Sequence, residues 1–244
     1  MVIHFFTNKA GVRFFKRISK SLPSKLKTTT YEGYRLKKDF LFTLKRREKN
    51  KDFVLITTHG SPGYLLLPTP REENAYKRYI AAEDLQGIQN DIIFAFSCET
   101  VLNFGQKLID HGAVAYIGYD IQLPQTFTIT GEWNIPRRLR KSVEMILKKI
   151  LSENIAICVA KAINESMTVQ ELSSYFSFCL EKEIITFFNL SPDEVAERYN
   201  IIVNRRLWTA YSPILQIKQL EVIQDINTHM RCLGNSQCVI TNIA

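Results

Sequence analysis

No two cysteines in this chain stand at the C-x-x-C spacing used by zinc ribbons and dithiol oxidoreductases. The five that exist, at positions 98, 158, 179, 232 and 238, are odd in number and scattered, which argues against a disulfide framework. Long apolar runs are missing too, and none approaches the roughly 18 residues that a membrane-spanning helix needs. The first residues, Met1-Val-Ile-His-Phe-Phe6, set apolar side chains ahead of any basic one, the reverse of a secretory leader. There is no internal repeat and no low-complexity linker. These absences lead to the expectation of a soluble, cytoplasmic protein without membrane insertion.

Acidic residues are scarce at the front of the chain. Residues 1–60 carry 15 of the 32 Lys/Arg but only 4 of the 24 Asp/Glu, so the net charge of +8 is concentrated there. Such asymmetry fits either a polyanion-binding surface or the solvated face of helices lying on a sheet. The basic residues interleave with regularly spaced apolar ones, and no glycine-rich basic tail accompanies them. The solvated face is therefore the favoured reading, and nucleic acid is not an expected partner. With 244 residues, 45% of them apolar, the chain suits one large α/β domain or a domain with a helical appendage.

What the chain does contain is three short runs rich in β-branched and aromatic residues: Phe53–Thr58, Ile92–Ser97 and Val114–Tyr119. Runs of this kind read as strands buried on both faces of a parallel sheet. A helical pattern at 100–110 separates the second from the third, as a right-handed crossover requires. Val2–Thr7 reads as a further strand and 27–33 as a short extended segment. Helices are expected at 12–22 and 35–47. The first has Phe14, Ile18 and Leu22 on one stripe and Arg13, Lys16, Arg17 and Lys20 on the other. Tyr64–Leu67 is expected to return as a short strand, and Ala81–Leu85 to begin a short helix. Between residues 59 and 98 there is room for that return strand and a crossover helix.

Beyond residue 135 the pattern turns helical, at about 137–152, 154–165 and 168–188. Ser191-Pro192-Asp193-Glu194 is a helix start, with serine as N-cap and glutamate closing a capping box. Alternation over Ile214–Val222 predicts a late edge strand. Cys158 and Cys179 fall inside apolar helical patterns as buried thiols, and Cys232 and Cys238 in a polar C-terminal tail. The expected architecture is thus α/β with a mostly parallel central sheet. A core covers 1–135, and a helical part, 136–244, packs on it.

In open α/β sheets, chemistry collects at the carboxyl ends of the strands. The first central run delivers His59-Gly60 to that edge and the second delivers Cys98. A cysteine attacks a carbonyl as its thiolate, and a neighbouring histidine both lowers the thiol pKa and protonates the leaving amine. A residue without Cβ, here Gly60, lets a substrate carbonyl approach a backbone N–H. A histidine that caps a strand and a cysteine that fills a core is the structural alternative for each residue alone. The second His-Gly pair, His111-Gly112, reads as a helix C-cap.

The residues Val54-Leu-Ile-Thr-Thr-His59-Gly60, Ala82-Glu83-Asp84-Leu85 and Ile93-Phe-Ala-Phe-Ser97-Cys98-Glu99-Thr100 resemble the caspase-like cysteine peptidases of clan CD, and among them most the CHAT domains. Gly112-Ala-Val-Ala-Tyr-Ile-Gly118 resembles the strand after the nucleophile box. The likeness covers about residues 53–120. It departs from true caspases in lacking Gln-Ala-Cys-x-Gly, and from CHAT boxes in having Val101 where glycine is usual. It implies a three-layer caspase-type fold, His59 as general acid/base, Cys98 as nucleophile, and the backbone N–H groups of Gly60 and Cys98 as the oxyanion hole. It also implies limited proteolysis of a protein substrate through an acyl-enzyme, with no metal or cofactor in the chemical step, and an activating protein partner. Bacterial relatives of this kind sit in antiviral defence or cell-death systems. The resemblance places Asp120 and Tyr119 on the substrate-binding wall, with Asp120 to pair with a basic side chain, or with Tyr119 or Trp133 to line an apolar pocket; the favoured reading of Asp120 from the residues alone is an ordinary strand-end turn aspartate. Two rival readings stand beside it: a non-catalytic scaffold of the same fold, and a nucleic-acid-associated protein using the basic first sixty residues.

Overall fold

The computed structural model describes residues 1–7, 12–24, 26–32, 37–46, 52–67, 79–85, 87–123 and 136–241. The expected extended segments become β1 (Val2–Phe6), β2 (Thr28–Glu32) and β3 (Phe53–Thr57). The chain then forms β4 (His59–Ser61), β5 (Tyr64–Leu66), β6 (Tyr79–Ala81), β7 (Ile92–Phe96) and β8 (Ala115–Tyr119). A last strand, β9, runs from Met230 to Gly234. Six strands make the central sheet in the order β2-β1-β3-β7-β8-β9. All pairings are parallel except β9, which lies antiparallel along the β8 edge.

The near-continuous apolar runs are explained by burial on both faces. Successive side chains of a strand point to opposite sides, and two cores divide accordingly. Phe53 and Leu55, Ile92, Phe94 and Phe96, and Ala115, Ile117 and Tyr119 face one core; Val54 and Ile56, Ile93 and Ala95, and Tyr116 face the other. The first core is covered by a 3₁₀ turn (Arg13–Arg17) leading into α1 (Ile18–Ser21), and by α4 (Arg137–Asn164), α5 (Val169–Asn189), α6 (Pro192–Tyr199) and α7 (Arg205–Thr228). The second is covered by α2 (Lys37–Arg46), α3 (Gln106–Asp110) and the small sheet β4-β5-β6. Helices thus lie on both sides of one mostly parallel sheet. Rings lock the first core: Phe94 meets Phe176 of α5 edge-on with centroids 5.7 Å apart, and burying one such ring is worth roughly 1.5–3 kcal/mol. Among the described residues no helix is long and apolar enough to cross a membrane.

Three elements differ from the sequence reading. The segment Ile214–Val222 is helical, inside α7. Its alternation is incidental: Trp208, Leu215, Ile223 and Ile226 form the buried stripe, while Ile217 and Leu220 are 55% and 47% exposed. The edge strand lies later, so Cys232 belongs to β9 rather than to a polar tail, and Cys238 is buried. The two helices expected at 137–152 and 154–165 are one. Finally, the connection from β3 to β7 has the expected return strand, β5, but among the described residues it sits in an antiparallel three-stranded sheet followed by a 3₁₀ turn (Ala82–Asp84) rather than by a crossover helix. The cap motifs held. Ser191 accepts from the Glu194 N–H while the Glu194 carboxylate accepts from the Ser191 N–H, and Gly112 takes the left-handed conformation (φ +100°) after His111.

Candidate active site at the carboxyl edge of the sheet

The register of β3 against β7 fixes the level at which the two candidate residues leave the sheet. Thr57 pairs with Phe96 at the carboxyl ends of these parallel strands, and His59 and Cys98 each lie two residues further on. Both are partly exposed, unlike the fully buried strands that carry them. Beyond Thr57 the chain leaves the central sheet for β4, where His59 pairs with Leu66 and Gly60 with Leu65. Beyond Phe96 it turns sharply: Glu99 adopts the left-handed conformation at φ +53°, unusual for a residue with a side chain, and the sort of local strain that collects at functional sites.

Gly60 is pressed against that turn. A Cβ there would lie 2.3 Å from Ser97 Oγ, 2.5 Å from the Cys98 carbonyl oxygen and 2.7 Å from Thr100 Cγ2. Only a residue with no side chain admits this approach, and it brings the Gly60 backbone into hydrogen bonding with the Cys98 sulfur, as Cys98's own backbone also does. A second tether joins the two segments, since the Phe104 N–H donates to the Pro62 carbonyl at 2.8 Å.

The turn after Cys98 is braced from beneath. Thr100 Oγ1 donates to the Ser97 carbonyl and accepts from the Tyr116 hydroxyl at 2.7 Å. A π-helical turn (Val101–Gly105) follows, an insertion often found at functional sites. It packs Gly105 on the Tyr116 ring, where a Cβ would come within 2.7 Å. The Val101 side chain is buried beside Gly118. Sequence reasoning missed this Thr100–Tyr116 support. It has no local signal, because the partners lie on different elements.

On the other side, the segment after β8 closes over the cysteine. The Cys98 thiol donates to the Leu123 carbonyl at 3.8 Å, the Glu99 N–H to the Ile121 carbonyl at 2.8 Å, and Gln122 Nε2 to the Glu99 carboxylate at 3.4 Å. Burial pushes the Cys98 thiol pKa up. Backbone hydrogen bonds from Leu123 and Gly60 oppose this, and the nearby Glu99 charge adds to it. The resting sulfur is therefore held as a neutral thiol.

The two residues expected on the substrate-binding wall are placed otherwise. Tyr119 has no exposed surface: its ring meets Phe96 edge-on with centroids 5.1 Å apart, in the core beneath the site. The period of the strand points it inward, so it lines no cleft. The Asp120 carboxylate is already held, by His229 Nδ1 at 2.9 Å and Arg231 Nε at 2.9 Å, which ties the end of β8 to the start of β9. With two partners already on it, it is not a vacant charge for a basic side chain. Trp133 lies outside the described residues. An open cavity of about 330 Å³, lined by Glu83, Leu85, Gly87, Gln89 and His111, sits at the opposite, amino-terminal end of β7. Among the described residues no group of three His, Cys, Asp or Glu side chains is arranged to hold a metal ion.

Comparison with known proteins finds no match to this chain: no family model, no curated protein and no solved structure.

Proposed function

We propose that the chain is a caspase-like cysteine endopeptidase in which Cys98 is the nucleophile and His59 the general acid/base, cutting a protein substrate at limited positions. The observation that carries this reading is the shared level of His59 and Cys98 past the Thr57–Phe96 pair, with the Gly60 backbone at the sulfur. As the substrate enters, the imidazole of His59 takes the thiol proton and the sulfur attacks the scissile carbonyl carbon. The oxygen that becomes negative is held by the N–H groups of Gly60 and Cys98. The imidazolium then protonates the departing amine, leaving an acyl-enzyme. A water, deprotonated by the same imidazole, releases the acyl group and restores the thiol.

The raised thiol pKa suits an enzyme that rests inactive until substrate or an activating partner completes the site. The test is labelling by a peptide acyloxymethyl ketone, together with cleavage of a peptide library. Both should vanish in Cys98→Ala, and His59→Ala should slow both by at least a hundredfold, within the range typical of general acid–base catalysis (about 10²–10⁴). Cleavage that survives Cys98→Ala would sink the proposal.

One observation favours a second reading, a non-catalytic scaffold of the same architecture. The Cys98 sulfur is sheltered and its thiolate disfavoured. A thiol that stays unlabelled at pH 9, in native protein that unfolds cooperatively, would decide for the scaffold.

A further inference from the structure

Three cations of the first basic segment and three from the far side of the sequence share one surface. Lys16, Arg17 and Lys20 are exposed on the 3₁₀ turn and α1, and Arg137, Arg138 and Lys141 are exposed on the first turns of α4. These elements pack against each other in one layer, on the same core. Their inward residues, Phe15 and Ile18 on one side and Leu139, Val143 and Ile146 on the other, are buried together, so their outward residues form a common face. No ion pair or side-chain hydrogen bond engages any of the six among the described residues. The acid within the first two turns of α4, Glu144, is half-buried and faces Lys148 at 3.9 Å. Elsewhere in the helical layer several cations are matched, Lys161 with Glu165, Arg198 with Glu183 and Arg205 with Asp193, while Lys182 and Arg206 stand singly on α5 and α7. The unmatched six thus lie on elements that pack directly against each other.

We propose that the α1–α4 face binds nucleic acid through its phosphate backbone, independently of the peptidase reading. The face is helical. Its charges come from long flexible side chains, and no exposed aromatic ring lies among the six. It has the means to neutralise phosphates but none to stack on or read bases, so binding is sequence-independent and strongly salt-dependent. A membrane is the poorer fit: among the described outward residues of this face the exposed large apolar side chain is Met145 alone, too little to insert beneath lipid headgroups.

The experiment is fluorescence anisotropy of the full chain with a labelled 20-base-pair DNA duplex and with an RNA of equal length, between 50 and 300 mM salt. Six phosphate contacts give a log–log salt slope of about −5, and each cation removed reduces it by about 1. The triple variant K20E/R137E/K141E should bind at least tenfold more weakly with a shallower slope, while K38E/K45E, on α2 across the sheet, should bind as the parent does. Circular dichroism establishes that each variant is folded. Equal weakening by both sets of substitutions would overturn the proposal, since it would show only bulk charge at work. So would tighter binding to polyglutamate or to phosphatidylserine vesicles than to either nucleic acid, which would assign the face to an acidic protein or a lipid surface.

Discussion

Gly60 stands so close to Cys98 that a methyl group on it would come within 2.5 Å of the Cys98 carbonyl oxygen. The two backbones belong to strands joined by more than thirty residues, yet they share one small volume. Replacing Gly60 by alanine must push the turn at Cys98 aside, and backbone atoms cannot yield as a flexible side chain can. The expected result for Gly60→Ala is a loss of stability of about 1–3 kcal/mol together with loss of Cys98 labelling. Gly63→Ala, whose new methyl group would meet nothing nearer than Asn103 Nδ2 at 4.0 Å, is the control and should be near neutral. Thermal unfolding and labelling of both variants check this, and an unperturbed Gly60→Ala would refute the close approach.

The Cys98 thiol should react slowly at neutral pH. Burial disfavours the thiolate, so the rate of alkylation by iodoacetamide should keep rising past the pH at which an ordinary exposed thiol levels off. Glu99 contributes to the upward shift through its charge, and Glu99→Gln should move the profile to lower pH. A profile that levels at or below the ordinary thiol range in the free protein would show that the sulfur is already activated by an imidazolium.

Asp120 should act through structure rather than through a substrate's side chain. Its carboxylate bonds to His229 and Arg231, partly exposed groups whose pairing is worth about 1 kcal/mol after solvent screening. Asp120→Asn should lower the unfolding midpoint by a few degrees and loosen the 121–123 segment. It should leave any preference at the residue before the cut unchanged in kind. A peptide library in which the variant loses a preference for arginine or lysine would restore the recognition role expected from the sequence.

His4 makes stability depend on pH. Its ring is fully buried in β1, with Nδ1 2.8 Å from Ser19 Oγ and Nε2 2.9 Å from Thr57 Oγ1, and burial pushes its pKa down to about 3. The folded state keeps the ring neutral while the unfolded chain protonates it near its ordinary value of 6.5. Its contribution is therefore whole above pH 6.5 and is lost as the pH falls toward 3, by up to about 1.4 kcal/mol per pH unit. Urea unfolding at pH 7 and pH 5 should show this fall, and His4→Gln should flatten it. A parent protein whose unfolding free energy is the same at both values would contradict the buried neutral ring.

The sequence by itself determined the three central strands and their two-sided burial. Apolar runs of that length and composition have no other favourable home than the middle of a covered sheet. It pointed to His59 and Cys98 as residues that follow two of those strands, while the β3–β7 register, Phe53 against Ile92, is what sets them at one level. It also determined the Ser191 cap and the His111-Gly112 stop, whose signals are local. Tertiary structure decided the rest. Whether Ile214–Val222 was strand or helix depended on which of its apolar residues found a neighbour, and the stripe through Trp208, Leu215 and Ile223 won by packing on the core. Asp120 was occupied because β9 came from more than a hundred residues away to supply His229 and Arg231. The union of Lys16, Arg17 and Lys20 with Arg137, Arg138 and Lys141 arose in the same way. Charges far apart along a chain gain a common surface only when the helices that carry them bury their apolar sides together.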